Sequence, residues 1–159
     1  MIFTEDSHFM SLALEEAQKA FDADEVPVGA VIVYKGEVIA RAHNLVESSG
    51  DATAHAEMLC IKSASRHLDN WRLKEAVLYC TLEPCSMCAG AMILSRVHTL
   101  VWGAPDLRQG AHGSWTNLLD MSHPIHTLTV RKGVLQAECA LLMTEFFKQR
   151  RKQNAGSLI

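Results

Sequence analysis

The sequence predicts an α/β domain in which a mixed sheet of about five strands is sandwiched between helices on both faces. Three observations predict it. Apolar, β-branched runs such as Val28–Tyr34 (VGAVIVY) suit buried strands. Other segments carry apolar residues at three- and four-residue steps, as one face of a helix does. The two kinds of segment alternate along the chain, which is the pattern of a layered α/β fold. A length of 159 residues suits one domain with a core of its own.

Each element has a local reason. Residues 7–21 form an amphipathic helix because Phe9, Met10, Ala13, Leu14, Ala17 and Phe21 share a face. Pro27 and Gly29 end that pattern. Val28–Tyr34, a tight turn at Lys35-Gly36 and Val38–Ala42 then read as a hairpin. Ser48-Ser49-Gly50-Asp51 is a loop, and residues 54–68 a second helix with Thr53 placed to cap it. A strand follows at Val77–Thr81. Pro84 suits the first turn of a helix over 85–95, where its missing N–H would be unpaired anyway. Leu100–Gly103 is a short strand. Residues 104–126, broken by Gly110, Gly113 and Pro124, read as a long functional loop with one helical turn near Trp115–Met121. A strand at Thr127–Arg131, a turn at Lys132-Gly133 and a helix over Ala137–Lys152 complete a domain of residues 1–152. Residues 153–159 are expected to be a frayed, disordered tail.

Composition narrows the function classes. Hydrophobic residues make up 48% and charged residues 21%, which excludes a disordered acidic chain, a collagen and a coiled-coil rod. No apolar run reaches the length of a membrane helix, and Met1–Asp6 lacks the basic and apolar regions of a secretory signal. Five cysteines, an odd count, point with that to a reducing, cytoplasmic setting where disulfides do not form. The net charge of −3 argues against a general nucleic-acid binder. Charge is uneven, however. Residues 1–25 hold seven acids and one base, while residues 148–152 hold Lys148, Arg150, Arg151 and Lys152. Such a basic end either completes a helix dipole or meets a phosphate backbone.

Two short segments carry the chemistry: His55-Ala56-Glu57 and Pro84-Cys85-Ser86-Met87-Cys88. Cys85 and Cys88, three apart at a helix start, place both sulfurs on one face. A helix N-terminus lowers a thiol's pKa and so favours the thiolate that binds Zn²⁺. Alone, the pair is equally a redox couple or two buried thiols. His55, also near a helix start, supplies a third ligand, and three protein ligands leave the open position of a catalytic zinc. Glu57, two residues on, is placed to move protons at that open position rather than to bind the ion. A structural zinc would need a fourth ligand. Cys60, Cys80 and His112 are available, but none shares a ligand spacing with the others.

An H-x-E and P-C-x-x-C pair is the signature of zinc-dependent nucleobase deaminases. Further strings make the resemblance more specific: VPVGAV (Val26–Val31), TAHAE (Thr53–Glu57), TLEPCSMCAGAM (Thr81–Met92), GAPD (Gly103–Asp106), GAHGS (Gly110–Ser114) and EFFKQRR (Glu145–Arg151). With these the chain, from Phe9 to Lys152, resembles the bacterial tRNA-specific adenosine deaminase family of the cytidine-deaminase-like superfamily. The resemblance implies a three-layer α/β/α fold, one Zn²⁺ per subunit, a homodimer, and conversion of adenosine to inosine at the wobble position of a tRNA anticodon, in the family usually that of the arginine tRNA. It implies that His55, Cys85 and Cys88 hold the metal and that Glu57 shuttles protons. It further assigns Asn44 to the flipped base or its ribose and Asp106 to the RNA backbone and ribose. Phe146, Phe147, Arg150 and Arg151 would belong to a terminal helix beside the anticodon stem-loop. Val28 is expected to line the pocket. Of the adjacent Phe146 and Phe147 only one can face inward fully, leaving the other as a stacking platform. Ala52, Pro105, Leu107 and Gln109 depart from the family's usual residues in or near the substrate loop. The rival readings are a free guanine or cytosine deaminase with the same zinc site, and a zinc-stabilised binding module without catalysis.

Overall fold

Near-continuous burial along the central strands decides the architecture. In the computed structural model, which describes residues 4–157, the first two strands are β1 (Gly29–Tyr34) and β2 (Glu37–His43), followed by β3 (Ala76–Leu82), β4 (Thr99–Ala104) and β5 (Thr129–Lys132). They form one sheet of order β2-β1-β3-β4-β5. β1 is antiparallel to both β2 and β3, while β3–β4 and β4–β5 are parallel. On one face Ala30, Ile32, Leu78, Cys80, Leu100 and Trp102 pack in a single buried cluster. On the other, Val31, Val33, Tyr79 and Val101 form a second. Both faces are therefore buried, as the continuous apolar runs predict.

Two layers of helix cover them. α1 (Glu5–Asp22) supplies Phe9, Met10 and Ala13 to the second cluster, joined by Cys139 from the terminal helix α5 (Gln136–Gly156). The first cluster takes Ala56, Cys60 and Ala64 of α3 (Ala56–His67) with Cys88, Ala89 and Met92 of α4 (Ser86–Leu94). A short α2 (Val46–Ser49) follows β2. The expected α/β/α sandwich with a five-stranded mixed sheet is thus observed. α1 starts at a capping box, in which the Thr4 side chain accepts from the Ser7 N–H and Ser7 answers toward Thr4. The β1–β2 turn has Lys35 at φ 51° and Gly36 at φ 81°. Both values are left-handed, as a two-residue hairpin matching the strand twist requires.

Several local expectations give way to longer-range contacts. Ser48 and Ser49, expected in a loop, lie in α2 because the Glu25 carboxylate accepts from the Glu47 and Ser48 N–H groups at 3.0 and 2.5 Å. Thr53 does not cap α3. Its N–H and hydroxyl both bond Asp51, and His55 is the capping position. Pro84 lies one residue before Cys85, which caps α4. No helical turn forms at Trp115–Met121. That segment is tied instead by a β-bridge between His112 and Asn117, beside a second bridge between Cys85 and Gly110. β5 begins at Thr129 rather than Thr127. α5 continues past Lys152 to Gly156, so residues 153–156 are helical, and 158–159 lie outside the described residues.

Ion pairs fasten α1 to the sheet. Asp6 on α1 accepts from Arg131 of β5 at 2.7 and 2.8 Å and from the Tyr79 hydroxyl at 2.9 Å. The Arg131 hydrogen bond holds the Asp6 carboxyl below its usual range, outweighing its partial burial, with Tyr79 adding to the effect. A carboxyl depressed in the folded state contributes stability that is full above its unfolded pKa, about 3.9, and lost as pH falls through the folded value. Asp6→Asn should therefore lower Tm at pH 7. The difference from the parent should shrink as unfolding is followed below pH 4, and a constant difference down to pH 2 would argue against the linkage.

Candidate active site

The topology gathers one end of the sheet. β3 and β4 are parallel, so their carboxyl ends share an edge, and antiparallel β1 starts and β2 ends there too, with Gly29 opposite His43. Ligand sites of open α/β sheets favour that edge. A cavity of about 420 Å³ opens there, lined by Val28, Asn44, His55, Glu57 and Cys85 among others. The volume lies within the range of small-molecule sites.

Both helices on that face begin at the cluster. His55 and Cys85 are the N-caps of α3 and α4, and neither caps its helix with its side chain. The side chains turn to one another instead. His55 Nδ1 lies 3.5 Å from Cys85 Sγ and 3.6 Å from Cys88 Sγ. The three ligand atoms all lie within 4.8 Å of each other, and no other such group of three metal-ligating residues occurs among the described residues. The donor set can be tested against zinc. Tetrahedral coordination with Zn–S of about 2.3 Å and Zn–N of about 2.05 Å places N and S about 3.6 Å apart. The two observed N–S separations meet that requirement. One imidazole and two thiols at this spacing fit a Zn²⁺ ion, and among the described residues no fourth protein ligand joins them.

The electrostatics make Cys85 the thiolate of the cluster. The Cys85 thiol is drawn down to about 4, chiefly by the Cys88 S–H, with His55 adding to the effect against partial burial. Cys88 is pushed the other way because it holds the shared proton and is buried. Glu57 is 4% exposed, and burial pushes its carboxyl above the usual range, against the pull of its own backbone N–H and His55. It is close enough to Cys88 to hydrogen-bond. Cys60 and Cys80 are fully buried and raised by burial, so they remain thiols, and the Cys80 thiol donates to the Leu82 carbonyl.

The remaining sequence-derived residues divide. Val28 and Asn44 line the cavity, and Asn44 is fixed by donating to Val26 O at 3.2 Å and accepting from Val46 N at 3.1 Å. Asp106 lines it too, but its Oδ1 accepts from the Arg108 and Gln109 N–H groups and shapes the loop. Phe146 is buried edge-to-face on Phe21, whereas Phe147 is 37% exposed and faces the cavity. Arg151 joins Phe147, Met143 and Arg108 in an adjoining cleft. Arg150 turns the other way, donating to Asp24 O at 2.8 Å and lying over the Phe146 ring. Sequence reasoning passed over Glu25, Glu83, Arg108 and Met143, which also line the cavity. None of them carries a spacing signal, although Glu83 immediately precedes Pro84-Cys85.

Comparison with known proteins agrees with the geometry. The MafB19-like deaminase family matches residues 4–151. The tRNA-specific adenosine deaminase of Bacillus subtilis (strain 168) is 49% identical over 154 residues, covering 97% of this chain and 96% of that protein. The chain belongs to the tRNA-specific adenosine deaminase family. A chloroplastic tRNA(adenine(34)) deaminase of Arabidopsis thaliana is 51% identical over 92% of this chain, but the chain spans only 12% of that protein's length. A solved structure from work on A-to-I editing by tRNA:A34 deaminases superposes with a TM-score of 0.79 at 43% identity, covering 86% of this chain and 99% of that one. The guanine deaminase of Nitrosomonas europaea reaches a TM-score of 0.77 at 27% identity, covering 92% and 86%. The fold is thus shared with free-base deaminases, and sequence separates the two.

Proposed function

We propose that this protein is a zinc-dependent tRNA adenosine deaminase that converts adenosine to inosine at the anticodon wobble position, the arginine tRNA being the expected substrate. The observation that carries the reading is the end-to-end likeness to bacterial tRNA-specific adenosine deaminases, in a chain whose cavity holds the His55–Cys85–Cys88 cluster beside the buried Glu57. His55, Cys85 and Cys88 would hold the ion. When bound, zinc with three protein ligands supplies a Lewis acid and lowers the pKa of water at its open position to about 7.

The chain's own residues do the rest. Glu57 accepts a proton from the attacking water and passes it to N1 of the purine. A C6–O bond forms, the C6–amine bond breaks, and the second water proton leaves on the amine as ammonia. Burial of Glu57 suits both roles, since a carboxyl raised above its usual range gives up a proton as well as taking one. Asn44, held by two backbone partners, presents its remaining amide hydrogen and lone pair to the base or ribose. Val28 supplies an apolar wall. Phe147 offers a face on which an unstacked base can lie, and Arg151 a charge for the phosphates. Incubation with an adenosine-wobble tRNA, followed by nucleoside mass analysis for inosine, tests the reading. Turnover of free guanine or cytosine, with none of the tRNA, would favour the free-base alternative.

The two terminal arginines separate cleanly. Arg151→Ala should weaken anticodon stem-loop binding and flatten the slope of log K against log salt by about 0.7, the share of one phosphate contact on a single strand. Arg150→Ala should leave that slope unchanged and lower Tm, because Arg150 ties α5 to Asp24. Equal salt slopes for the two variants would remove Arg151 from the RNA surface.

A homodimer is part of the same proposal. Trp71, Leu94 and Ile125, exposed by 50, 59 and 51%, surround one shallow cleft beside α3 and α4, a surface suited to a second copy. Sedimentation gives the oligomeric state. The five free thiols suit the cytoplasm, and among the described residues no helix is long and apolar enough to cross a membrane.

A further inference from the structure

Glu83 is 1% exposed, and none of the ion pairs among the described residues involves it. Its carboxylate is instead ringed by donors from one segment. Oε1 accepts from the Asp106 N–H at 3.3 Å and from the Ser114 hydroxyl. Oε2 accepts from the His112 N–H at 2.9 Å and the Ser114 N–H at 3.2 Å. An ionised carboxylate is an acceptor only, with about four lone-pair sites, so these four donors fill it. The Glu83 N–H donates to Ala104 O at 2.7 Å, which pins the residue between the carboxyl ends of β3 and β4.

The segment also presses on the link to α4. Cys85 bridges Gly110, and Ala111 N–H donates to Pro84 O at 2.8 Å. A Cβ at Gly110 would overlap Glu83 Oε2 and the Asp106 carbonyl, so the loop crosses the carboxylate where only glycine fits. Arg108 and Gln109 lie between the clasped residues. Both line the cavity and the cleft beside Trp115, and His55 and Cys85 line both as well.

We propose that Glu83 is a positioning residue: its buried carboxylate templates the 106–114 loop on the strand–helix link that carries Cys85, and so holds Arg108 and Gln109 at a set distance from the cluster to receive the RNA. The inference rests on the RNA-deaminase reading for its substrate, while the clasp itself can be tested without it. Every carboxylate donor comes from the connection between β4 and β5, and none from a strand or helix. Weakening the clasp therefore loosens the rim before it loosens the fold.

The experiment uses the zinc-loaded full chain and the variant Glu83→Gln, in which an amide donor must face N–H or O–H donors. Amide hydrogen exchange at Asp106, His112 and Ser114 should accelerate about tenfold or more, as expected for loss of a charge-assisted bond, while β1 and β3 amides keep their protection. KM for an anticodon stem-loop RNA should rise about tenfold, far more than kcat falls, with one zinc per chain retained. Glu83→Asp, which keeps the acceptor chemistry, should recover part of the KM. Ser114→Ala removes one donor to the same carboxylate and should shift exchange and KM in the same direction by less. It decides the matter should Glu83→Gln fail to fold. Unchanged exchange at the three amides, or a fall in kcat at constant KM, overturns the proposal. A parent enzyme that leaves the RNA untouched overturns the substrate reading instead, with the exchange data still reporting on the clasp.

Discussion

Replacement of Glu57 by glutamine is expected to slow inosine formation by about 10²–10⁴-fold, the usual worth of a positioned general acid–base. Glutamine keeps the shape of a side chain that is 4% exposed, so packing against its neighbours should survive. It removes only the ability to take and give a proton. His55, Cys85 and Cys88 are untouched, and the variant should bind one zinc per chain as the parent does. Two measurements on one preparation check this: metal content, and nucleoside mass analysis after incubation with an adenosine-wobble tRNA. Near-normal turnover would show that the protons travel by another route. Loss of zinc along with activity would mean that Glu57 supports the ligand cluster rather than the chemistry.

That cluster was the most legible part of the sequence. His55, Glu57, Cys85 and Cys88 sit within two short segments, and each segment opens a helix, so local spacing fixes the placement of the side chains within each. The β1–β2 hairpin was legible for a similar reason, since Lys35-Gly36 needs no distant partner. The misplaced elements share the opposite property. α2 forms where a loop was expected because Glu25, more than twenty residues upstream, caps it. Trp115–Met121 forms no helical turn because the Trp115, Thr116 and Leu118 N–H groups go back to Gly110 and Ala111, in a stretch itself held by Glu83, Pro84 and Cys85. Arg150 and Arg151 look alike in sequence. Their fates differ because Asp24, at the far end of the chain, reaches only one of them. No periodicity carries such information, because the partners meet only once the sheet has brought its edge together.

Removal of Cys88 is the second large effect expected. Cys88→Ala leaves His55 and Cys85 as the only protein ligands, too few for the four-coordinate ion the cluster fits. Zinc content after dialysis should fall from about one per chain to background, and deamination should become undetectable. The control lies in the same core. Cys80 is as buried as Cys88, yet its sulfur donates to Leu82 O and stands outside the ligand cluster. Cys80→Ala should therefore cost stability, as loss of a buried side chain does, and keep both zinc and turnover. The contrast separates ligation from packing, because both variants hollow the interior while only one removes a ligand. Retention of zinc in Cys88→Ala, or its loss in Cys80→Ala, would move the metal centre away from the converging ends of α3 and α4. The assignment of Glu57 to proton transfer beside that centre would then fall with it.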